Sequence, residues 1–486
     1  MEKEIQQTKY NKNLLLALIL LTLFVAVLNQ TFLITALPQI MIDFQVDANK
    51  AQWVTTIFML TSGIIVPISA FLIARFSTRQ LFLTAVITLL IGTMLAGIAS
   101  SFTILLIGRL IQAIGAGLIM PLVSNIILQI TTNENRGSAM GLLILVICFG
   151  PAIGPALAGG IIDYFSWRYL FFGTFPVVLC IFIASYLILK NVTETNKNIK
   201  IDVLSVVLST VAFTGILYGL SLIGTLGWGD ITTISWIAIG AISLYFLVRR
   251  QLKLSEPMIE FRVFKYKIFS VSAILVSIAF ATMFGVETIV PLYTQNVQGT
   301  SALVSGLILL PGAALMGAMS PFVGKLTDKM GIKVLILIGF SIVTLSTIPL
   351  AIIGFEKTIW MIVIFYSLRM IGTGFLMTPV QTGAMNAIPK HLYRHGVAVY
   401  STLTNIAGSI GISIIVGLYT ALAKNTSLSG LDSEKYAITI TFLFVTIISG
   451  VGLLLALKLK DKSVEVTDSS LQEEVTHTEK LSSFNK

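Results

Sequence analysis

A chain of 486 residues in which 56% are hydrophobic and only 11% are charged is not an ordinary globular domain. Apolar runs of about 20 residues recur along it, which is the pattern of an integral membrane protein. A net charge of +10 can indicate nucleic-acid binding. Here, however, the Lys and Arg residues cluster in short segments between apolar runs, as in cytoplasmic loops. We therefore expect no nucleic-acid partner.

The apolar runs predict fourteen membrane spans. Their ranges, in chain order, are 14–37, 51–74, 80–99, 103–130, 138–162, 169–189, 201–223, 231–249, 268–294, 303–325, 332–354, 359–386, 396–422 and 436–457. The polar N-terminal residues lead into the first range without a small-residue cleavage site, which favours an uncleaved span over a signal peptide. The residues from Lys458 onward are polar, which predicts a disordered tail.

Two similar segments indicate an internal repeat. The chain reads PISAFLIARFSTRQ from Pro67 and PFVGKLTDKMGIKV from Pro321, so that Arg75 corresponds to Lys329. Two parallel six-span halves with a two-span insert account for this repeat. The predicted organisation is a tail at 1–13, an N-terminal bundle at 14–189, an insert at 190–267, a C-terminal bundle at 268–457 and a tail at 458–486.

The distribution of positive charge predicts the orientation. With the N-terminus inside, most loop Lys and Arg residues fall in inner loops, and all 5 tryptophans fall near the outer interface, where indole rings are favoured. We expect a multi-pass protein of the plasma membrane with both termini in the cytoplasm.

The fifth span, GLLILVICFGPAIGPALAGG, carries prolines and glycines that would destabilise a helix in water. Neighbouring helices satisfy the freed carbonyls when such a helix lies in a membrane. Two ridges of small residues and prolines form on one side: Gly150, Gly154 and Ala158, and next to them Pro151, Pro155 and Gly159. This face predicts close packing against another helix, for which the small-residue-rich tenth span is the expected partner.

The same spacing resembles the antiporter signature of drug/proton exporters in the major facilitator superfamily. The matching positions are Gly141, Gly150, Gly154, Pro155 and Gly159. Ala158 stands where the signature has glycine, and Gly160 follows. The resemblance implies an all-α membrane protein of the major facilitator fold, with two six-helix bundles in pseudo-twofold repeat and two extra central helices.

Arg109 lies well inside the fourth span, in IGRLIQAIGAG. A buried arginine is costly and normally faces a watery cavity or a partner, so its role is either functional or structural. Arg109, Gln112 and Gly115 also resemble the family motif whose arginine is associated with proton transfer. Arg369 in the twelfth span is a rough counterpart with the same two interpretations.

Of the acidic residues, Glu287 lies well inside a predicted span, in FGVETIVPLY. An apolar environment favours the protonated form of a carboxyl group, which makes Glu287 a candidate proton carrier. The alternative is a side chain that reaches water at the outer interface. Asp43, just past the first span, is a second candidate for proton coupling, against the simpler interpretation of a solvated loop residue.

The first span, VLNQTFLITALPQ, resembles the family's Asp-x-Thr motif with Asn29 at the aspartate position. This Asn-Gln-Thr form is similar to the branch that includes lincomycin-type efflux pumps. Asn29, Gln30 and Thr31 can bind a ligand by hydrogen bonds but carry no proton. The predicted substrate cavity comprises Asn29, Gln30, Thr31, Gln112, Phe284, Arg369 and Asn405.

The segment GKLTDKMGIK resembles the family's loop signature, in which charge pairing holds an inner gate. The matching positions in this second copy are Gly324, Asp328, Gly331 and Lys333. The first copy keeps only Arg75 and Arg79. These two residues either form part of a gate or, as positive charges, determine which side of the membrane the loop lies on.

The remaining motifs narrow the class of protein. His391 and His395 lack a third metal ligand, so no metal site is expected. The chain has no Gly-x4-Gly-Lys-Ser/Thr loop, which argues against ATP hydrolysis. We expect no enzyme, no cofactor other than a proton gradient, and no obligate protein partner.

The resemblance implies a multidrug efflux transporter that exports amphipathic and antibiotic compounds by proton-coupled antiport with alternating access. The alternative is a facilitator that exports a physiological metabolite or lipid without drug specificity. A non-transporting sensor or intramembrane enzyme would need a catalytic dyad or a large soluble domain, and neither is seen in the sequence.

Overall fold

The computed structural model describes residues 12–131, 136–191, 202–227, 229–254, 257–352, 359–389, 392–424 and 430–459. All regular elements in these residues are helical, as predicted. The tails were predicted at 1–13 and 458–486, and most of each, 1–11 and 460–486, lies outside the described residues.

Fourteen long helices lie in the described residues, one for each predicted span. They are α1 (Lys12–Thr31), α2 (Trp53–Arg75), α3 (Thr78–Gly97), α4 (Phe102–Ile130), α5 (Arg136–Ile162), α6 (Arg168–Ile188), α7 (Val203–Leu226), α8 (Ile231–Lys253), α9 (Lys267–Asn296), α10 (Ala302–Met330), α11 (Ile332–Ile352), α12 (Ile359–Asn386), α13 (Tyr393–Lys424) and α14 (Leu431–Leu457). Twelve candidate spans in the described residues are long and apolar enough to cross a membrane. The count of fourteen spans stays a prediction.

The helix ends follow local sequence signals. A serine precedes each of α3, α4 and α10 as its N-cap: Ser77, Ser101 and Ser301. The hydroxyl of each accepts a hydrogen bond from a backbone N–H of the first turn. Gly331 ends α10 with φ of 82°, a backbone conformation that favours glycine. The first span was predicted to reach residue 37, but α1 ends at Thr31. A 3₁₀ turn, Phe32–Ile34, and a short helix, Leu37–Phe44, follow it. The second residue of this short helix is Pro38, which is tolerated in a first turn because the N–H there has no helical acceptor.

The long helices form two bundles with matching internal contacts. In the first bundle α3 packs on α4 and α6, α2 on α4, and α1 on α5. In the second bundle α11 packs on α12 and α14, α10 on α12, and α9 on α13. The helix contacts within α1–α6 are thus repeated, eight helices later in the chain, within α9–α14. This correspondence is the pseudo-twofold repeat that the sequence predicts.

Two helix pairs join the bundles: α5 with α10, and α13 with α2. These pairs are equivalent under the same repeat. At Gly159 of α5 an added Cβ would overlap the carbonyl oxygen of Ala302, and at Gly306 of α10 it would overlap that of Pro155. The two backbones therefore touch directly, as predicted for the fifth and tenth spans.

Only one of the two predicted ridges of α5 faces α10. A Cβ at Gly150 would meet Val27 of α1, and one at Gly154 would meet the hydroxyl of Thr31. The signature thus serves two contacts, one inside the first bundle and one between bundles. The side chain of Pro151 and the surroundings of Gly141 lie outside the described residues.

The bundles are joined at one end and separate at the other. The largest apolar core combines both bundles where α5 ends and α10 begins, with Phe32, Ile162, Ile289 and Tyr293 among its members. At the opposite end each bundle has its own core, one around Phe82 and one around Phe340. We call the joined end the closed end, and that it faces the outside of the membrane stays a prediction.

The inserted helices α7 and α8 pack on each other through Gly215 and Gly240, and α7 also packs on α13 and α2. Asn49 Nδ2 donates to the carbonyl of Ser221 at 2.6 Å, and Trp53 Nε1 donates to the Ser221 hydroxyl at 3.2 Å. The insert therefore braces the α2–α13 contact between the bundles.

A Gly159→Ala substitution should open the closed end. The added methyl group disfavours the α5–α10 approach by about 1–3 kcal/mol, so the ratio of open to closed molecules should rise at least about fivefold. Spin labels at Tyr164 and Asn296, in a background without Cys148 and Cys180, report the distance between the bundles there.

The matched control is Gly160→Ala, where the nearest atom to the added Cβ is 3.6 Å away, an ordinary contact. It should leave the distance distribution unchanged. Equal distributions for Gly159→Ala and the parent protein would contradict the packing described.

Candidate functional site

Arg109 is fully buried in the first bundle and held by neutral groups. Its Nε donates to the carbonyl of Val54 at 3.0 Å, and its Nη1 donates to the carbonyl of Asn29 at 2.8 Å and to Gln112 Oε1 at 3.0 Å. The guanidinium lies over the ring of Phe58, 4.2 Å from its centroid. Backbone dipoles and an aromatic face thus stabilise the charge.

Gln112 extends this network. Its Nε2 donates to Asn29 Oδ1 at 3.1 Å and to Thr93 Oγ1 at 2.8 Å. Together with Arg109 it ties α1, α2, α3 and α4 to one another. Asn29 and Gln112 were predicted to line a substrate cavity. Both are fully buried within the network, and their predicted part in a substrate cavity stays a prediction.

Arg369 is equally buried in the second bundle but has few partners. Its Nε donates to Thr347 Oγ1 at 3.3 Å, whereas Nη1 and Nη2 have no hydrogen-bond partner in the described residues. Arg369 lies on α12 and Thr347 on α11, the counterparts of α4 and α3 that carry Arg109 and Thr93. The repeat thus supports the predicted correspondence of the two arginines.

Glu287 and Arg369 both interact with a third buried residue, Tyr366. The side chain of Glu287 is 2% exposed, and its Oε2 has no hydrogen-bond partner in the described residues. Tyr366 is fully buried, its hydroxyl is also without a partner there, and it interacts electrostatically with both Glu287 and Arg369. The three residues, the Glu287 cluster, form a buried polar group with open hydrogen-bonding capacity.

Tyr366 was not identified from the sequence. Its position three residues before Arg369, one helical turn away, was the available signal. The predicted alternative for Glu287, a side chain that reaches interfacial water, does not fit its burial.

Asp43 lies at the closed end, away from the Glu287 cluster. It accepts hydrogen bonds at 2.9 Å from Trp167 Nε1 and Arg168 Nη1, and its side chain is 41% exposed. This ion pair ties the short helix after α1 to the start of α6. That Asp43 is a second candidate for proton coupling, after Glu287, stays a prediction.

The other predicted cavity residues are spread over several helices. Gln30 is partly buried, and Thr31 is buried against Gly154. Phe284 packs 6.0 Å from Phe280, measured between ring centroids. Asn405 donates to the carbonyl of Ser401 at 2.9 Å.

The predicted gating loops lie at the separated end. Arg79 Nη2 donates to the carbonyl of Tyr186 at 2.7 Å and so ties α3 to the end of α6. Arg75 lies over the ring of Phe76. In the second copy the side chain of Asp328 is outside the described residues, Lys333 is partly buried, and a Cβ at Gly324 would meet no atom within 4 Å. A gate between the copies stays a prediction.

Two carboxylates make polar contacts across the closed end. The carboxylate of Asp163, just past α5, accepts the backbone N–H groups of Ala302 and Leu303 at 2.8 and 3.1 Å. These groups lie at the N-terminus of α10, where the helix dipole favours an anion. On the other side Asp47 pairs with Lys424 at the end of α13, at 2.8 Å. The α5–α10 and α2–α13 contacts therefore each carry one carboxylate.

Comparison with known proteins identifies the family to which the chain belongs. The model of the Major Facilitator Superfamily matches residues 19–412. An uncharacterized MFS-type transporter of Bacillus subtilis, YcnB, is 43% identical over 95% of this chain and 98% of its own length. The lincomycin resistance protein LmrB of Listeria monocytogenes is 36% identical over 92% of this chain and 96% of its own.

More distant matches are consistent with the same fold. The multidrug export protein EmrB of Haemophilus influenzae is 29% identical over 82% of this chain and 80% of its own. A crystal structure of a POT family transporter in complex with a thioalcohol-conjugated peptide aligns with a TM-score of 0.66 over 91% of this chain and 96% of its own, at 15% identity.

An Arg109→Lys substitution should destabilise the protein more than Arg369→Lys. Lysine keeps the charge but cannot reach Val54, Asn29 and Gln112 together, and a hydrogen bond from a charged group contributes about 1.5–3 kcal/mol. Arg369 donates one long hydrogen bond, so its replacement costs less. The measurement is the midpoint of thermal unfolding of both variants in the same detergent. A shift for Arg109→Lys no larger than that for Arg369→Lys would contradict the network.

Proposed function

Because the chain belongs to the Major Facilitator Superfamily, we propose that it exports amphipathic and antibiotic compounds across the plasma membrane in exchange for protons. It is a multi-pass membrane transporter of small substrates and not an enzyme. The observation that carries the proton-coupled part is the buried carboxyl of Glu287, whose Oε2 has no hydrogen-bond partner in the described residues and which interacts electrostatically with the buried Tyr366.

The drug-export part rests on named relatives. LmrB is named for lincomycin resistance and EmrB for multidrug export. Both match most of this chain, and so does YcnB, whose substrate is uncharacterized. Export of a physiological metabolite or lipid is the alternative function, and the neutral Asn29 at the first-span acidic position leaves room for it.

Alternating access follows from the way the bundles meet. The direct backbone contact of α5 with α10 and the equivalent α2–α13 contact close one end, while the separate apolar cores leave the other end apart. Rocking of the bundles about these contacts opens the closed end. The contacts of Asp163 and of Asp47 with the opposite bundle must break in that step.

Glu287 supplies the coupling in this proposal. The neutral, protonated carboxyl is the form that an apolar core accepts without a partner, whereas the ionised form requires a partner such as a cation or a hydrogen-bond donor. Pro291 lies four residues later and has no N–H, so the carbonyl of Glu287 lacks its usual helical donor. A bound cationic or polar drug competes with the proton for these groups.

The proton gradient is a sufficient energy source. One elementary charge that moves through the membrane potential gains about 2.3 kcal/mol per 100 mV. Each exported drug molecule that displaces one proton from Glu287 can use this energy.

A Glu287→Gln substitution should uncouple the exchange. In inverted vesicles with an acidified interior and a pH-sensitive dye, lincomycin or a lipophilic cation should release protons from vesicles with the parent protein. Release should fall at least about tenfold with Glu287→Gln, because glutamine has the shape of the protonated acid but no proton to exchange. Asp43→Asn is the control and should retain release.

Undiminished proton release by Glu287→Gln would remove Glu287 from the mechanism. Drug transport by the parent protein without any proton movement would favour the uncoupled alternative.

A further inference from the structure

The start of α7 and the end of α8 enclose a cavity of about 390 Å³ that the proposed transport cycle does not use. Leu204, Leu208 and Phe246 form an apolar wall of this cavity. Arg249, Arg250 and Lys253 form a cationic rim. All six lie in the inserted pair of helices, outside both six-helix bundles.

The rim carries positive charge that the protein does not neutralise. Arg250 forms a two-point ion pair with Asp202, at 2.7 and 2.8 Å, and its hydrogen bonds lower the pKa of Asp202 to about 2. That pair is therefore ionised and balanced at neutral pH. Arg249 and Lys253 are exposed, and neither takes part in an ion pair within the described part of the chain. Two free cations remain.

The apolar wall is the second independent feature. Leu204 is 49% exposed and Phe246 is 55% exposed. Further exposed apolar side chains continue from them at helical spacing towards the middle of the membrane: Val207 and Val211 on α7, Ile239 and Ile242 on α8. A hydrocarbon chain can cover such a groove, whereas a small water-soluble anion would leave it bare.

We propose that this cavity binds an anionic phospholipid. The headgroup contacts Arg249 and Lys253, and an acyl chain lies along the groove between α7 and α8. Basic pockets between membrane helices recognise anionic headgroups in this way. Since α7 braces α2 through Ser221, the bound lipid would support the side of the molecule where α2 meets α13.

Lipid binding can be measured on the purified full-length protein in neutral detergent by native mass spectrometry. Phosphatidylglycerol should bind more tightly than phosphatidylcholine with the same acyl chains. The Arg249→Gln/Lys253→Gln double variant should bind phosphatidylglycerol about thirtyfold more weakly, about fivefold for each cation. The charge-retaining Arg249→Lys/Lys253→Arg variant should keep the affinity of the parent.

The matched control is Lys190→Gln, an exposed lysine past α6 at the same end of the molecule, which should have no effect. Unchanged binding of phosphatidylcholine by the double glutamine variant shows that the fold is retained. Phosphatidylglycerol affinity that survives the double substitution would overturn the proposal. Displacement of the lipid by equimolar inorganic phosphate would overturn it in favour of a soluble-anion site.

Discussion

The contact between the backbones of α5 and α10 determines how closely the two bundles approach. At Gly159 and Gly306 the space of a side chain is occupied by the carbonyl oxygen of the opposite helix. No side chains interdigitate at these positions, so the helices can separate without repacking. Gly159, which weakens α5 as an isolated helix, is thereby explained by the joint that it forms, whereas Gly150 and Gly154 allow close packing on α1.

The equivalent contact on the other side of the molecule is built differently. Gly63 of α2 packs against Asn405 and Ile406, and Gly408 of α13 packs against Met59 and Phe284. Side chains do interdigitate there, and α7 braces the contact. The two joints are thus equivalent in topology but not in packing, and the insert lies on the side where side chains interdigitate.

The polar groups of the two bundles show a second asymmetry. In the first bundle, Arg109, Asn29 and Gln112 hydrogen-bond one another and fasten four helices together, although Nη2 of Arg109 has no partner in the described residues. In the second bundle, Arg369, Tyr366 and Glu287 make fewer hydrogen bonds, and each has at least one buried polar atom without a partner in the described residues. A satisfied buried network gives rigidity, whereas an unsatisfied one is costly unless water, a proton or a ligand completes it. This difference in degree is consistent with a mainly structural role for Arg109 and supports the proposal that the proton is carried in the second bundle.

Much of the fold was predictable because bilayer thickness sets span length and because positive charge and the Pro67/Pro321 repeat order the spans. The partner of α5 was predictable from its small-residue face. The sequence did not separate the two ridges of that face, since Gly150 and Gly154 differ from Gly159 only in direction. It also did not predict the hydrogen bond from Arg109 to the carbonyl of Asn29, because the two residues are distant in the chain. The contact of Asp163 with the start of α10 was not predicted for the same reason.

The central claim is that α5 and α10 must part at the closed end during each transport cycle. Cysteines at Gly160 and Leu303, in a background without Cys148 and Cys180, test it, because a Cβ at Gly160 lies 3.6 Å from Leu303 Cδ1. The measurement is lincomycin transport before oxidation, after oxidation and after reduction, with each single cysteine as control. We expect transport to stop when the disulfide forms and to return when it is reduced. Full transport with the cross-link in place would contradict the account.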